Sequence, residues 1–192
     1  MLASASPRRR DLLAQAGVAF EVRPADIDES RCGNEPALPH ARRLAREKAL
    51  AVAKTLGTPG RLVLGADTIV VLDEAILGKP RDTEHAAALL FELTGRTHRV
   101  ITAVAIARSD SLEIFEDAVE SRVAMRTATA GEIRDYVAIG ESLDKAGAYA
   151  VQGEGRRFIE RIEGSESNVI GLPLDETLAL LARARAGAPD PP

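Results

Sequence analysis

Three consecutive cations at the start of a helix are the residues of this chain best placed to do chemistry. The run Leu2-Ala3-Ser4-Ala5-Ser6-Pro7-Arg8-Arg9-Arg10 leads straight into an apolar helical pattern, Leu12, Leu13 and Ala16. Proline suits the first position of a helix, where its missing N–H would have no partner anyway. Ser6 before it is a good N-cap. The segment therefore reads as strand, Ser-rich turn and helix. That order aims free backbone N–H groups, the positive end of a helix dipole and Arg side chains at one place. Such a place suits a polyanion, and a phosphate chain is the first candidate. Cations oppose the dipole at this end of a helix, so three of them call for a counter-charge. The competing reading is a solvated basic turn, and it is the one adopted for Arg10.

Asp67 stands in Gly65-Ala66-Asp67-Thr68, between the apolar runs Leu62-Val63-Leu64 and Ile69-Val70-Val71-Leu72. A carboxylate there is costly without a task or a cation partner. It reads as a general base or as a turn Asp bonding nearby backbone. Arg8, Arg9, Lys48 and Lys79 are the phosphate candidates: Arg offers a planar fork, Lys a mobile point charge. By residue type alone, Lys48 on a helix and Lys79 in Gly78-Lys79-Pro80 would both be solvated. Ser4 and Ser6 read as hydroxyl donors to phosphate, since no Gly-x-Ser-x-Gly elbow marks a nucleophile. His40, His85 and His98 are scattered and Cys32 has no partner at ligand spacing, which argues against a transition-metal cage. Mg²⁺ needs only one or two carboxylates beside phosphates and water. Asp67 and Glu29 are the candidates for a divalent cation, Mg or Mn.

Further segments follow in order: Leu93-Thr94-Gly95-Arg96-Thr97-His98-Arg99, Asp144-Lys145-Ala146-Gly147-Ala148-Tyr149, Val151-Gln152-Gly153, Ile162-Glu163-Gly164 and Asn168-Val169-Ile170-Gly171-Leu172-Pro173. With the opening Ser-x-Ser-Pro-Arg-Arg, Gly-Ala-Asp-Thr and Leu77-Gly78-Lys79-Pro80, the set closely resembles the Maf family of nucleoside triphosphate pyrophosphatases, from Leu2 to about Ala182. The resemblance implies an α/β, ITPase-like fold: an elongated mixed sheet flanked by helices, with two lobes around a substrate cleft. It implies that Asp67 is the proton acceptor, and it raises Lys48 to a substrate contact. The Asp144-to-Gly153 region looks like the branch acting on dTTP and UTP, not its sister branch acting on methylated GTP. Gln152 would then pair its amide with a pyrimidine edge. Arg9 and Thr68 match the other positions the family ties to substrate preference. Two departures stand out. Ser165-Glu166-Ser167 is acidic where the family is more aromatic, and only Met1 and Leu2 precede the Ala-Ser turn. The expected activity is hydrolysis of dTTP and UTP to monophosphate and pyrophosphate. The alternatives are a nucleotide-binding regulator of cell division and a pyrophosphatase of the methylated-GTP branch. A binder needs the cations but has no use for a base beside them.

These side chains need a scaffold. The chain's 192 residues suffice for one large domain or two intimate lobes. The expectation is a single domain over residues 1–186 with a disordered proline-rich tail, 187–192. Apolar residues make up 45% and aromatics only 3%, so the core should be aliphatic. A net charge of −4 argues against a general nucleic-acid binder. The single cysteine, Cys32, excludes an internal disulfide and fits a reducing compartment. No apolar run approaches the ~20 residues of a membrane span, and the opening lacks a signal-peptide pattern. The expectation is a cytoplasmic protein with a nucleoside triphosphate as partner and no nucleic acid or membrane; a homodimer stays open.

Helical and strand patterns alternate, as in an α/β domain. Strands are expected at Met1–Ser4 and Val18–Arg23, and helices over Pro7–Ala16 and Pro39–Leu56, with Leu44, Lys48 and Val52 at helical spacing. An acidic loop, Asp26, Asp28 and Glu29, lies between. Two strands flank Asp67. Asp73-Glu74 forms a turn, and a helix runs from Asp82 or Thr83 to Thr94. His98–Ala107 and Leu112–Thr127 form a hairpin. Thr129 and Glu132 make a capping box for a helix to Ile139. Phe158–Glu163 is a strand, and Pro173 opens an amphipathic helix with Leu174, Leu178 and Leu181 on one face.

Overall fold

Local capping sets the first helix, α1 (Pro7–Gln15): the Ser6 hydroxyl accepts the Arg9 N–H and Pro7 occupies the first turn. The structure is a computed structural model that describes residues 1–186, so the expected tail, 187–192, lies outside the described residues. Helix α2 (Ala37–Ala53) starts and ends slightly earlier than the sequence suggests. Ala41, Ala45, Ala49 and Ala53 recur every fourth residue, the spacing that shares one helix face, and all four are fully buried. This smooth face meets β1 (Leu62–Leu72) at Gly65, where a Cβ would overlap the Ala45 carbonyl oxygen and lie 2.6 Å from the Ala49 nitrogen.

The two strands expected on either side of Asp67 are one. Strand β1 runs unbroken with Asp67 at its middle. Glycine within a strand marks close backbone approach here, not a break. The chain then turns at Asp73, at a φ of 53°, into β2 (Ala75–Leu77), which pairs antiparallel with Leu72 opposite Ala75. Asp tolerates that left-handed backbone. Helix α3 (Thr83–Leu93) is capped by Asp82, whose carboxylate accepts the His85 N–H. Strands β3 (Thr97–Arg108) and β4 (Ile114–Met125) are the expected neighbours. Helix α4 (Ala130–Ala138) opens on the Thr129–Glu132 capping box. Strand β5 (Ile159–Glu163), a short helix α5 (Glu166–Ile170) absent from the sequence expectation, and α6 (Leu174–Ala186) complete the chain.

The sheet order is β2-β1-β3-β4-β5. Its parallel component is at the N-terminus, where Leu2 bridges both Val22 and Leu64. The expected strands Met1–Ser4 and Val18–Arg23 thus shrink to single bridges, although Leu2 N–H to Glu21 O and Ala3 N–H to Leu64 O, both 2.8 Å, still anchor the segment.

The chain clusters into two compact units. The first comprises Met1–Thr68, Thr102–Val119 and the segment from Gly171 onward; the second comprises Ile69–Ile101 and Glu120–Ile170. Leu13, Leu44, Val63, Ile106, Phe115 and Leu180 are buried in the first. Leu90, Leu93, Val100, Ile133, Tyr136 and Phe158 form the core of the second. The buried face of α6 is Thr177, Leu180 and Ala184; the expected stripe of Leu174, Leu178 and Leu181 is half-buried beside it. Thr177 can turn inward because its hydroxyl donates to Pro173 O at 2.6 Å. Among the described residues no helix is long and apolar enough to cross a membrane.

Candidate active site

Gly65 and Asp67 share one side of β1, because alternate residues of a strand do. The glycine lets α2 close in, and Lys48, one residue before Ala49, arrives at the aspartate. Its Nζ donates to Asp67 Oδ1 at 2.7 Å and pairs with Glu29 Oε1 at 2.8 Å. The Lys48 and Asp67 side chains are only 9% and 11% exposed, while Glu29 is 55% exposed. The lysine that residue type would place in solvent is therefore buried on two carboxylates. Buried charges persist when paired in this way. Among the described residues, only Oδ1 of Asp67 is hydrogen-bonded, which leaves Oδ2 for a water.

Glu29 sits in the acidic loop, and that loop is tied to α2. Arg43 Nη2 donates to Ser30 O and to Glu35 Oε2, both at 3.0 Å, and Glu35 also meets His40 Nδ1 at 3.1 Å. Arg43 holds the Glu35 carboxyl below its ordinary range.

Arg9 is the second centre. It is buried, unlike the half-buried Arg8 and the exposed Arg10. Its Nε donates to Gly171 O at 2.8 Å, Nη1 to Ala66 O at 2.9 Å and Ser4 Oγ at 3.1 Å, and Nη2 to Thr68 Oγ1 at 3.0 Å. Thr68 Oγ1 in turn lies 3.0 Å from Thr102 Oγ1. Burial pulls the guanidinium below its ordinary value, and the Asp67 charge works against that pull. Four of the five N–H groups of an arginine are therefore spent on the protein. Arg9 ties Ser4, Ala66, Thr68 and Gly171 together, a role the sequence did not indicate. Two of its acceptors are backbone carbonyls, which carry no residue-type signal. Gly65 was equally hidden, although alanine at every fourth position of α2 was a readable sign of close packing.

The structure thus brings Ser4, Arg9, Thr68, Lys48, Asp67 and Glu29 together in the first unit, with Arg8 next to Arg9 in α1. Lys79 and Gln152 belong to the second unit, and both are exposed. There the Gly78-Lys79 turn accepts the Gly147 N–H at 3.2 Å, which joins it to the Asp144-to-Tyr149 segment. No group of three or more His, Cys, Asp or Glu side chains able to hold a metal occurs among the described residues. The donor set for a cation is Asp67 and Glu29, which already share one positive charge in Lys48. Two carboxylates are what a Mg²⁺ completed by phosphate and water takes from a protein, so the residues present fit such an ion.

The family profile described as Maf-like protein matches residues 1–184. The chain belongs to the Maf family. It is 54% identical over 186 residues to a protein of Anaeromyxobacter dehalogenans strain 2CP-1 named dTTP/UTP pyrophosphatase, covering 96% of this chain and 93% of that one. Relatives of the same name in Myxococcus xanthus and Escherichia coli O157:H7 are each 53% identical, covering 96% of this chain and 91% and 92% of theirs. A solved structure from Mycobacterium abscessus, a nucleoside-triphosphatase / dITP/XTP pyrophosphatase, aligns with a TM-score of 0.41 at 16% identity, over 65% of this chain and 71% of that one. The Maf motifs of this chain hold the side chains described above: Ser4 and Arg9 in the first, Asp67 and Thr68 in the second.

Proposed function

We propose that this chain is a nucleoside triphosphate pyrophosphatase acting on dTTP and UTP. One observation carries the reading: Asp67, buried at the middle of a strand, is held by a lysine that shares its charge with a second carboxylate. A protein that only bound nucleotide would need the cations and not the carboxylates among them. The names of the relatives supply the substrate class.

In the reaction, water adds across the anhydride bond between the α- and β-phosphates. Asp67 takes the water proton, and the nucleoside monophosphate and pyrophosphate separate. Lys48 orients Asp67 through Oδ1. Arg8 and Lys79 offset the phosphate charge, which grows on the leaving pyrophosphate. Ser4 offers a hydroxyl. Arg9 fixes Ser4 and Thr68 and keeps one N–H for substrate. The Gln152 amide meets the pyrimidine edge. Asp67 and Glu29 would hold a divalent cation, Mg or Mn, which supplies further charge neutralisation for the phosphates. The substrate is a free nucleotide, since a net charge of −4 disfavours nucleic acid. The working compartment is the reducing cytoplasm, where the exposed Cys32 stays a thiol.

The test is a panel of dTTP, UTP, CTP, GTP and methylated GTP with a pyrophosphate readout. Fastest release of pyrophosphate from dTTP and UTP is expected. Release of orthophosphate, or a preference for methylated GTP, would overturn the reading.

A further inference from the structure

The turn that carries Gln152 is built around two side chains outside it. Tyr136, on α4, is fully buried. Its hydroxyl accepts the Ala150 N–H at 3.2 Å; burial, and after it the nearby Glu141 charge, raises the pKa of that hydroxyl above its ordinary value. Glu141 Oε2 accepts the Gly155 N–H at 3.0 Å. The pair therefore grips both ends of the segment from Ala150 to Gly155. The glycines of that segment are moulded to it. A Cβ on Gly153, whose φ is +119°, would overlap Glu141 Oε1, and one on Gly155 would lie 2.8 Å from the Tyr136 hydroxyl. Lys145 closes the other side, donating from Nζ to Glu141 O at 2.6 Å. A surface turn can be ordered by its own backbone alone. Here the hydrogen bonds at both of its ends come from side chains that the phosphate chemistry does not use.

We propose that Tyr136 and Glu141 are positioning residues for base selection: by fixing the turn at Ala150 and Gly155 they hold the Gln152 amide in the orientation that distinguishes one base edge from another. The proposal rests on the reading of Gln152 as the group that meets the pyrimidine. Neither Tyr136 nor Glu141 touches substrate. An amide on a loose turn still binds, but it loses the geometric discrimination that a preorganised donor–acceptor pair gives.

The experiment compares kcat and KM for dTTP, UTP, CTP and GTP on six proteins: wild type, Gln152→Ala, Glu141→Ala, Glu141→Gln, Tyr136→Phe, and the double variant Glu141→Ala with Gln152→Ala. Glu141→Ala is expected to lower kcat/KM for dTTP and UTP by about tenfold relative to GTP, chiefly through KM. Glu141→Gln keeps an acceptor for the Gly155 N–H and should recover most of that preference. Tyr136→Phe keeps its ring against Phe158 and removes only the hydroxyl. It should shift preference in the same direction, and it serves where truncation at Glu141 unfolds the protein. The double variant should lose no more preference than Gln152→Ala alone, because coupled residues are not additive. Preference lost in Gln152→Ala but kept in both Glu141→Ala and Tyr136→Phe sinks the proposal alone. So does an equal fall for all four nucleotides in those two variants, or an additive double variant. Preference unchanged in Gln152→Ala sinks the Gln152 reading and the proposal with it.

Discussion

Lys48 and Arg9 are both buried cations, yet their chemistry differs because their acceptors differ. Lys48 ends on two carboxylates, so it shares charge with groups that can take a proton or a cation. Arg9 ends on two carbonyls and two hydroxyls, so its charge sets geometry. Two predictions separate these roles. Asp67→Asn keeps an oxygen for the Lys48 ammonium and loses the base. Turnover should fall by roughly the 10²–10⁴-fold of a positioned general base, with nucleotide affinity unchanged or higher. Single-turnover hydrolysis and equilibrium binding measure the two, and wild-type turnover would remove Asp67 from the chemistry. Arg9→Lys replaces a fork of five N–H groups by one nitrogen that cannot reach acceptors on four sides. The loss should be about 3 kcal/mol of folding stability together with a fall in kcat/KM. Urea unfolding beside kinetics tests it: activity lost at full stability would make Arg9 a direct substrate contact and no tie.

Between elements, the approach of α2 to β1 sets the distance from Lys48 to Asp67. Gly65→Ala would push a methyl into the backbone of Ala45 and Ala49, and neither helix nor strand backbone can swing aside as a side chain could. Overpacking of this kind costs about 1–3 kcal/mol. The variant should be less stable, and it should lose turnover even where it stays folded, because Lys48 moves off Asp67. A folded Gly65→Ala protein with normal turnover would mean that the lysine–aspartate distance does not limit the reaction. The same contact explains what the sequence could and could not reveal. The starts of α1, α3 and α4 were legible because Ser6, Asp82 and the Thr129–Glu132 pair act on N–H groups three residues away. The β3–β4 pair and the Asp73 turn were legible because turn-forming residues, Ser109-Asp110-Ser111 and Asp73, separate the apolar runs. Gly-Ala-Asp-Thr looked like a break because its glycine answers to Ala45 and Ala49, on a helix well before it in the chain. Asp67 itself stayed between turn and base by residue type alone, and the family resemblance supplied the choice. Helix α5 escaped because it spans only five residues, too few for a periodicity.

Across the whole molecule, charge and burial set how stability responds to acid. The net charge is −4, and Glu132 is held down to about 2, first by the Arg126 hydrogen bond and then by the cap at Thr129. Such carboxylates contribute stability above their unfolded values near pH 4, and lose it as pH falls through the folded ones. His98 acts earlier. It is buried in the second unit with Nε2 2.7 Å from the Tyr149 hydroxyl, and among the described residues Nδ1 has no hydrogen-bond partner. Burial lowers its pKa from 6.5 to about 4, so the folded protein keeps it neutral. Between those values the unfolded chain binds the extra proton. Stability therefore rises with pH through this window; the His98 contribution is complete above about 6.5 and is lost as pH falls toward 4. The loss amounts to about 3 kcal/mol. His98→Gln keeps polar atoms that can meet Tyr149 but cannot take up a proton. Its urea midpoint should be lower than wild type at pH 7.5, where truncating a well-packed buried ring has a cost. It should then fall less steeply between pH 6.5 and 4.5, so the two curves converge. Parallel curves for wild type and His98→Gln over that range would show that the buried imidazole charges as freely in the folded protein as in the unfolded chain, and the acid sensitivity would then belong to the carboxylates alone.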